Sequence, residues 1–151
     1  MAPADLSGLT LPPVFPPAGT YRSCVVHRDV LHTAGHIPLG ADGTLVVGRL
    51  GETLSVDDGV HAAELAALSL LATVQAELGT LDRVDRFLRV GGVVSATPGF
   101  VEHTRVIDGA SDVFVRVFGE AGEHARLAVG VSSLPAGIAL EVEATIAILP
   151  A

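Results

Sequence analysis

The C-terminal third of the chain alternates aliphatic residues with other residues at a period of two, and this restricts the possible fold more than any other feature. Between residues 138 and 149, every second position is aliphatic: Ile138, Leu140, Val142, Ala144, Ile146 and Ile148. Successive side chains of a strand point to opposite faces, so the pattern predicts a long strand with one aliphatic face. A shorter alternation at Leu127, Val129 and Val131 predicts a preceding strand, joined to it by a turn at residues 134–137.

Two helices are predicted earlier in the chain. A stripe of apolar residues at spacings of three and four comprises Val60, Ala63, Ala67, Leu71, Val74 and Leu78, and it is expected to face the sheet. Ser55 followed by Asp58 resembles a capping box, and Gly79 suits the end of this helix. The same spacing recurs between Phe100 and Gly119, at Val106, Ala110, Val113, Phe114 and Val117.

The other segments predict further strands. Two β-rich runs, 22–27 and 30–34, are separated by two polar residues and predict a hairpin. Residues 84–94 also have strand composition. Within this run, Gly91 and Gly92 indicate either a β-bulge or a close approach of another backbone segment.

The order of these elements is ββαβαββ, which predicts an α+β fold: a single-domain sandwich with the helices on one face of a mixed sheet. Proline is concentrated in residues 1–20, which are expected to form an irregular arm. Residues 21–151 are expected to form the single domain.

Composition excludes several kinds of function. The chain has nine arginines, no lysine, a net charge of −8 and a pI near 5.0, which excludes lysine Schiff-base chemistry and disfavours nucleic acid as a partner. Its one cysteine, Cys24, cannot form an intrachain disulfide and is expected to be buried. The six histidines lack the spacing of a metal-binding motif, so no metal site is predicted.

Location and assembly are also expected from composition. The N-terminal segment lacks a basic region followed by an apolar stretch, and no uninterrupted apolar run reaches the ~18 residues of a membrane span. A cytoplasmic protein that does not bind membranes is therefore expected. The mean hydropathy of +0.53 is high, and it indicates that part of the surface is buried against other subunits.

The face of the last two strands opposite the helices is unusual in composition. If the helices cover the branched aliphatic residues, that face carries Arg126, Ala128 and Gly130 beside Glu141 and Glu143. One interpretation is a structural arginine–carboxylate pair at a subunit interface. The other is an arginine that binds a carboxylate ligand, beside a glutamate that handles a proton or a water molecule.

Residues 124–144, HARLAVGVSSLPAGIALEVEA, resemble the signature of the RidA/YjgF family of reactive enamine/imine intermediate deaminases. That signature is an arginine strand, a Leu-Pro pair and a Glu-x-Glu-Ala strand. Residues 35–38, Gly-His-Ile-Pro, are similar to the family's Gly-Gln-Ile-Pro, and residues 18–21 to its Gly-Pro-Tyr. The resemblance covers residues 15–149 and implies a chorismate-mutase-like fold, assembled as a homotrimer with ligand sites between subunits.

The resemblance also implies roles for individual residues. Arg126 matches the arginine that holds the substrate carboxylate, and Glu141 matches the glutamate that places or activates the attacking water. Tyr21 matches a tyrosine of the same cleft, and His36 and His124 are candidate substrate-binding residues because they adjoin matched positions. The implied reaction is hydrolysis of 2-imino or 2-enamino acids to 2-keto acids and ammonia, a form of metabolite damage control that needs no cofactor.

Two features depart from the family pattern and leave the substrate open. The family's cysteine two residues after the arginine is Ala128 here, and residues 100–122 differ from the usual second-helix region. One alternative function is a non-catalytic trimer that binds small carboxylates or other proteins. Another is the endoribonuclease activity ascribed to some relatives, which the net charge disfavours.

Overall fold

The computed structural model describes residues 3–151, in which two helices pack on one face of a five-stranded mixed sheet. The elements are β1 (Cys24–His27), β2 (Val30–Thr33), α1 (Val56–Leu78), β3 (Val84–Ser95), α2 (His103–Phe118), β4 (Ala125–Val131) and β5 (Leu140–Ile148). The strand order is β1-β2-β5-β3-β4; β3 and β4 are parallel, and the other neighbouring pairs are antiparallel. This architecture confirms the predicted ββαβαββ sandwich.

Helix α1 begins and ends at the predicted signals. The Ser55 hydroxyl accepts a hydrogen bond from the Asp58 amide, and the Asp58 carboxylate accepts one from the Ser55 amide at 2.8 Å. These reciprocal bonds satisfy two amides that the first turn of a helix leaves without partners. Gly79 ends the helix at φ 81°, in the left-handed region, and its amide donates to the Gln75 carbonyl at 2.8 Å.

The apolarity of α1 reflects its position in the core. It is the one helix in residues 3–151 that is long and apolar enough by composition to cross a membrane, but most of that stretch is buried inside the domain. The predicted stripe is buried from Ala63 to Leu78, whereas Val60 is half-buried. The cytoplasmic location expected from the sequence stays a prediction.

The buried surface of α1 is wider than the predicted stripe, and α2 packs closely against the helix. A side chain at Gly109 of α2 would collide with the Val60 carbonyl of α1 and would touch the methyl group of Ala63. Small residues at this contact allow the two backbones to approach closely. Val60 and Ala63 belong to the predicted stripe, so at this point the stripe faces α2 and not the sheet that it was expected to face. Ala62, Ala66 and Leu70, which lie outside the stripe, are buried as well.

The two glycines of β3 mark close approaches of neighbouring groups. A Cβ atom at Gly92 would lie 2.6 Å from the Ile107 side chain of α2, and one at Gly91 would lie 2.9 Å from the Glu143 carboxylate. The groups that approach these glycines are side chains, so the expected close approach of another backbone segment is not found. The alternative of a bulge at these glycines is wrong, since the register shifts of β3 lie earlier, between Val84 and Arg89.

The strand register corrects the predicted faces of β4. Arg126 lies opposite Val90 of β3, whose side chain is buried under the helices, and Leu127 lies opposite Gly91 on the other face. We call this other, uncovered side of the sheet the open face; it carries Leu127, Val129, Glu141, Glu143 and Thr145. The alternation along β4 is as predicted, but the set that faces the helices is Arg126, Ala128 and Gly130.

The contacts of α2 explain why Arg126, and not Leu127, faces the helices. Helix α2 passes over β4 with polar groups on its flank, and Arg126 donates hydrogen bonds to the Asp108 carboxylate and the Thr104 carbonyl there. Leu127 and Val129 are left 52% and 37% exposed on the open face. The predicted position of Arg126 beside Glu141 and Glu143 is therefore wrong within one chain.

The N-terminal segment follows the surface without forming a helix or strand between Pro3 and Thr20; Met1 and Ala2 of the predicted arm lie outside the described residues. Leu6, Leu9 and Leu11 pack against the core. The Ser7 carbonyl accepts a hydrogen bond from Arg116 of α2 at 2.7 Å.

Candidate functional site

A cavity of about 390 Å³ lies where the N-terminal segment, the end of the first hairpin, α1 and the start of β5 meet. Its volume is within the range of small-molecule sites, roughly 300–1,000 Å³. Most of its wall is apolar, and its polar side chains are Tyr21, Ser23, His36, Ser69 and Glu141.

Glu141 is the one carboxylate in the cavity wall. It lies near the start of β5, is half-buried, and also lines a groove of about 270 Å³ on the open face. Burial raises the pKa of the Glu141 carboxyl above its ordinary value. A carboxylate made more basic in this way is suited to accept a proton from a water molecule.

Gly35 fixes the space around this carboxylate. A Cβ atom at Gly35 would lie 3.1 Å from Glu141 Oε2, so a side chain there would press on the carboxylate. The neighbouring residue holds this segment against β5, since the His36 amide donates to the Val142 carbonyl at 2.7 Å and the His36 carbonyl accepts from the Val142 amide at 3.0 Å. Gly35 is thereby placed beside Glu141.

The His36 ring has both of its nitrogens engaged. Nδ1 lies 2.8 Å from the Ala34 carbonyl, which can only accept, so Nδ1 carries the proton. Nε2 therefore accepts a hydrogen bond from the Thr73 hydroxyl of α1, also at 2.8 Å. His36 lines the cavity. Because both of its ring nitrogens are already hydrogen-bonded, it acts as a structural link between the cavity wall and α1.

We predict that His36 makes the protein sensitive to acid. Burial lowers the pKa of His36 in the folded state, whereas the unfolded chain takes up a proton near about pH 6.5. The unfolded state therefore binds more protons as pH falls below that value, and the free energy of unfolding decreases. In urea titrations, His36→Gln should lose less stability than wild type between about pH 7 and pH 5. His61→Gln, at an exposed position of α1, is the control; equal acid sensitivity of both variants would contradict this role.

Tyr21 lies at the mouth of the cavity. Its side chain is 53% exposed, and its hydroxyl accepts a hydrogen bond from the Ala18 amide at 3.1 Å. This bond holds the segment from Phe15 to Gly19 over the cavity, where it forms part of the wall. The structure thus brings Tyr21, His36 and Glu141 to one cavity; their roles in binding or catalysis stay predictions.

The other two predicted site residues, Arg126 and His124, lie in a separate cluster on the helix face of the sheet. Arg126 Nη1 donates to Asp108 at 2.8 Å and to the Ser111 hydroxyl at 3.0 Å, and Nη2 donates to the Thr104 carbonyl at 3.1 Å. The Ser111 hydroxyl in turn lies 2.9 Å from His124 Nε2. We call Asp108, Ser111, His124 and Arg126 the α2–β4 polar cluster.

His124 completes this cluster as a neutral ring. Its Nδ1 donates to the Gly122 carbonyl at 2.6 Å, so its Nε2 accepts from Ser111. Burial, with the nearby Arg126 guanidinium as a further cause, lowers the pKa of His124, and only the bond to Gly122 opposes this. The cluster joins β4 to α2 and shares no residue with the lining of the cavity.

Residues 4–142 match the family model described as "YjgF/chorismate_mutase-like, putative endoribonuclease". The chain belongs to this YjgF/chorismate mutase-like family. The match spans both the cavity and the α2–β4 polar cluster.

The chain is similar to proteins from several organisms. Protein TCP17 of Trypanosoma cruzi is 43% identical over 140 residues, covering 92% of this chain and 88% of its own. The structure of Atu1372 from Agrobacterium tumefaciens, a protein of unknown function, is 37% identical, with a TM-score of 0.86 and coverage of 94% and 87%. RidA from the Antarctic bacterium Psychrobacter is 22% identical, with a TM-score of 0.62 over 91% and 94% of the two chains, which shows likeness in fold.

Two further features bear on the chemistry of this YjgF/chorismate mutase-like chain. Cys24 is buried, as predicted. Burial raises the pKa of its thiol to about 11, which makes it a poor nucleophile. In the part of the chain that the structure describes, no group of three histidine, cysteine, aspartate or glutamate side chains is placed to hold a metal ion.

Sequence reasoning missed three residues that shape these sites. Ser69 is buried in α1 at the cavity wall, on the side of the helix opposite the predicted stripe, so the helical pattern gave no signal for it. Asp108 and Ser111 hold Arg126, and their spacing of three on α2 places both on one side of that helix.

Proposed function

We propose that the protein hydrolyses reactive imines and enamines in the cavity beside Glu141, releasing ammonia and a carbonyl product. The observation that carries this proposal is a half-buried carboxylate of raised pKa at the wall of a largely apolar cavity. Membership of the YjgF/chorismate mutase-like family is compatible with an enzyme of this kind.

The reaction asks little of the protein beyond positioning and one proton acceptor. Glu141 accepts a proton from water as the water oxygen bonds to the imine carbon. The protonated carboxyl then returns this proton to the nitrogen, which gives a carbinolamine. Glu141 next carries the hydroxyl proton of the carbinolamine to the same nitrogen as the carbon–nitrogen bond breaks, so that ammonia leaves and the carbonyl product remains. A positioned acid–base group of this kind accelerates such steps by about 100- to 10,000-fold.

The resemblance implied 2-imino or 2-enamino acids, held through their carboxylate by Arg126. In one chain, Arg126 is bonded to Asp108, Ser111 and the Thr104 carbonyl instead. The proposal therefore rests on Glu141 and the cavity, and a role of Arg126 in binding substrate stays a prediction.

The proposal is tested by trapping imines with semicarbazide. An auxiliary oxidase generates the imine, with catalase present, and the semicarbazone that forms is measured with and without the protein. An active protein lowers the semicarbazone yield in proportion to its concentration. An unchanged yield with imines generated from both amines and amino acids would overturn the proposal.

We predict that Gly35→Ala lowers imine hydrolysis by at least about tenfold, since small displacements of a catalytic group carry losses of this order or larger. The added methyl group would lie 3.1 Å from Glu141 Oε2, and the mobile carboxylate would have to move. The free energy of unfolding should change little because the contact is with the end of a side chain. Measured kcat/KM and urea stability separate the two effects, and wild-type kcat/KM in this variant would show that the carboxylate position is unimportant.

We further propose that the open face is buried between copies of the chain in a homotrimer. Leu127 and Val129 are 52% and 37% exposed there, and Val25 of β1 is 51% exposed. Apolar residues grouped on one face of a sheet are costly in water and are typical of an interface. The same surface supports a second candidate function, a non-catalytic trimer that serves as a binding module.

Leu127→Asp is predicted to disrupt this assembly. Light scattering should give about three times the 15.4 kDa chain mass for wild type and a smaller mass for the variant, because the interface would bury an unpaired carboxylate. Val101→Asp is the matched control, since Val101 is 83% exposed outside the sheet. A wild-type mass near that of one chain at micromolar concentration would contradict the trimer.

A further inference from the structure

We propose that a second cavity of the chain binds a free α-amino acid with a small apolar side chain. This cavity has a volume of about 290 Å³ and lies where the N-terminal segment, the start of β1 and the end of α1 meet. It is separate from the cavity beside Glu141, and its occupancy does not depend on the proposed hydrolysis.

Two opposite charges line this second cavity, and neither has an ion-pair partner. Arg22 lies just before β1, and Glu77 lies in the last turn of α1. Within residues 3–151, neither side chain belongs to an ion pair. Both charges act on the same thiol between them: burial is the main cause of the raised pKa of Cys24, Glu77 raises it further, and Arg22 lowers it. The cavity therefore holds a cation and an anion that do not pair with each other.

The position of Glu77 favours a cation at its end of the cavity. The C-terminal end of a helix carries partial negative charge, so a carboxylate is unfavourable there unless a cation lies close to it. The last turn of α1 contains no basic residue. An ammonium group bound beside Glu77 would be stabilised both by this carboxylate and by the end of the helix.

Arg22 supplies the complementary position for an anion. A guanidinium group binds a carboxylate through two parallel hydrogen bonds. The hydroxyl groups of Ser23 and Thr73 lie in the same wall, and the oxygen of each can also accept a hydrogen bond from an ammonium group. An α-amino acid carries its ammonium and carboxylate groups on adjacent atoms, so one small ligand would engage both charges at once.

The rest of the wall limits the side chain of such a ligand. Val14, Pro17 and Ala76 contribute apolar surface, which suits an aliphatic group. The volume is close to the lower end of the range for small-molecule sites, roughly 300 Å³. An amino acid with a short aliphatic side chain, such as valine, has the corresponding size and polarity.

The two cavities share a wall but not their charged groups. Tyr21 and Ser23 line both of them. Glu141 lines only the first cavity, and Arg22 and Glu77 line only the second. The second cavity also lies against α1, on the helix side of the sheet, opposite to the open face. Substitutions in one cavity therefore test it independently of the other.

Calorimetric titration with L-valine and two matched analogues tests this inference. Isobutylamine is L-valine without its carboxylate, and 3-methylbutanoate is L-valine without its amine. We expect the wild-type protein to bind L-valine at one site per chain, with a Kd at least about tenfold lower than that of either analogue, because each analogue leaves one charged side chain of the site unpaired. Equal Kd values for the three compounds, or no binding of L-valine at millimolar concentration, would overturn the inference.

Charge-neutralising variants locate the bound amino acid. Arg22→Gln and Glu77→Gln should each raise the Kd for L-valine by at least about tenfold, the loss of one charged hydrogen-bonding partner. Arg28→Gln in the hairpin turn and Glu64→Gln on α1 remove the same charges at other exposed positions, and they should bind as wild type does. Equal losses in these control variants would overturn the inference. So would a loss in Glu141→Gln without one in Arg22→Gln or Glu77→Gln, because the amino acid would then lie in the cavity beside Glu141.

Discussion

Replacing Glu141 with glutamine is expected to lower the rate of imine hydrolysis by about 100- to 10,000-fold. Glutamine keeps the size of the side chain and its hydrogen-bonding capacity but cannot accept a proton from water. Because burial raises the pKa of Glu141, the wild-type rate should rise with pH as this group ionises. That rise should be absent from any residual activity of the variant.

Glu143→Gln is the matched control for this experiment. Glu143 lies two residues further along β5 on the same face, but it is paired with Arg89 and does not line the cavity. Its replacement should keep most of the activity. Equal losses in Glu141→Gln and Glu143→Gln would contradict a specific role of Glu141.

Stability measurements separate this loss of activity from unfolding. Because the pKa of Glu141 is raised in the folded state, the folded chain binds this proton more tightly than the unfolded chain does. Ionisation of Glu141 therefore lowers the free energy of unfolding as pH rises. Glu141→Gln removes this effect, so at neutral pH the variant should be at least as stable as wild type.

Leu71→Ala is expected to lower the free energy of unfolding by about 2–5 kcal/mol. Leu71 is fully buried on α1 within the hydrophobic core. Its truncation removes apolar contacts and leaves a cavity that the packed helices and sheet fill only in part. Urea unfolding monitored by circular dichroism measures the change.

Val101→Ala provides the control for this truncation. Val101 is 83% exposed, and surface changes of this kind are usually within about 0.5 kcal/mol of neutral. A loss below about 0.5 kcal/mol for Leu71→Ala as well would show that α1 does not pack as described.

The elements of the fold could be predicted because their signals are local. The period of two defines β5, the capping box defines the start of α1, and Gly79 defines its end. The wider burial of α1 could not be predicted in the same way. Ala62, Ala66 and Leu70 are buried outside the stripe, and the contact of Gly109 with Val60 and Ala63 shows only when both helices are placed.

Strand β4 shows what an alternating pattern cannot predict. A period of two separates Arg126 from Leu127 but does not say which of them faces the helices. The branched residues were expected inside, yet β4 lies at the sheet edge under a polar flank of α2. Asp108 and Ser111 then supply partners that are about 15–18 positions away in sequence, beyond the reach of any local pattern.

The sequence predicted only part of the candidate site, because local patterns do not decide which face of the sheet a residue occupies. Tyr21, His36 and Glu141 reach one cavity because segment 34–37 bridges to β5 at Val142. Arg126 and His124 reach the α2–β4 polar cluster instead. A match to a sequence signature shows that these residues lie near one another along the strands. The strand register decides which side of the sheet each of them faces.

The position of a bound substrate analogue tests the central claim most directly. Isobutyramide has the shape of a small alkyl imine and carries no charge, and a crystal structure with this compound would locate its binding site. We predict that its amide group lies within hydrogen-bonding distance of Glu141, with its isopropyl group against the apolar wall of the cavity. Binding at the α2–β4 polar cluster, with the cavity beside Glu141 unoccupied, would contradict this account.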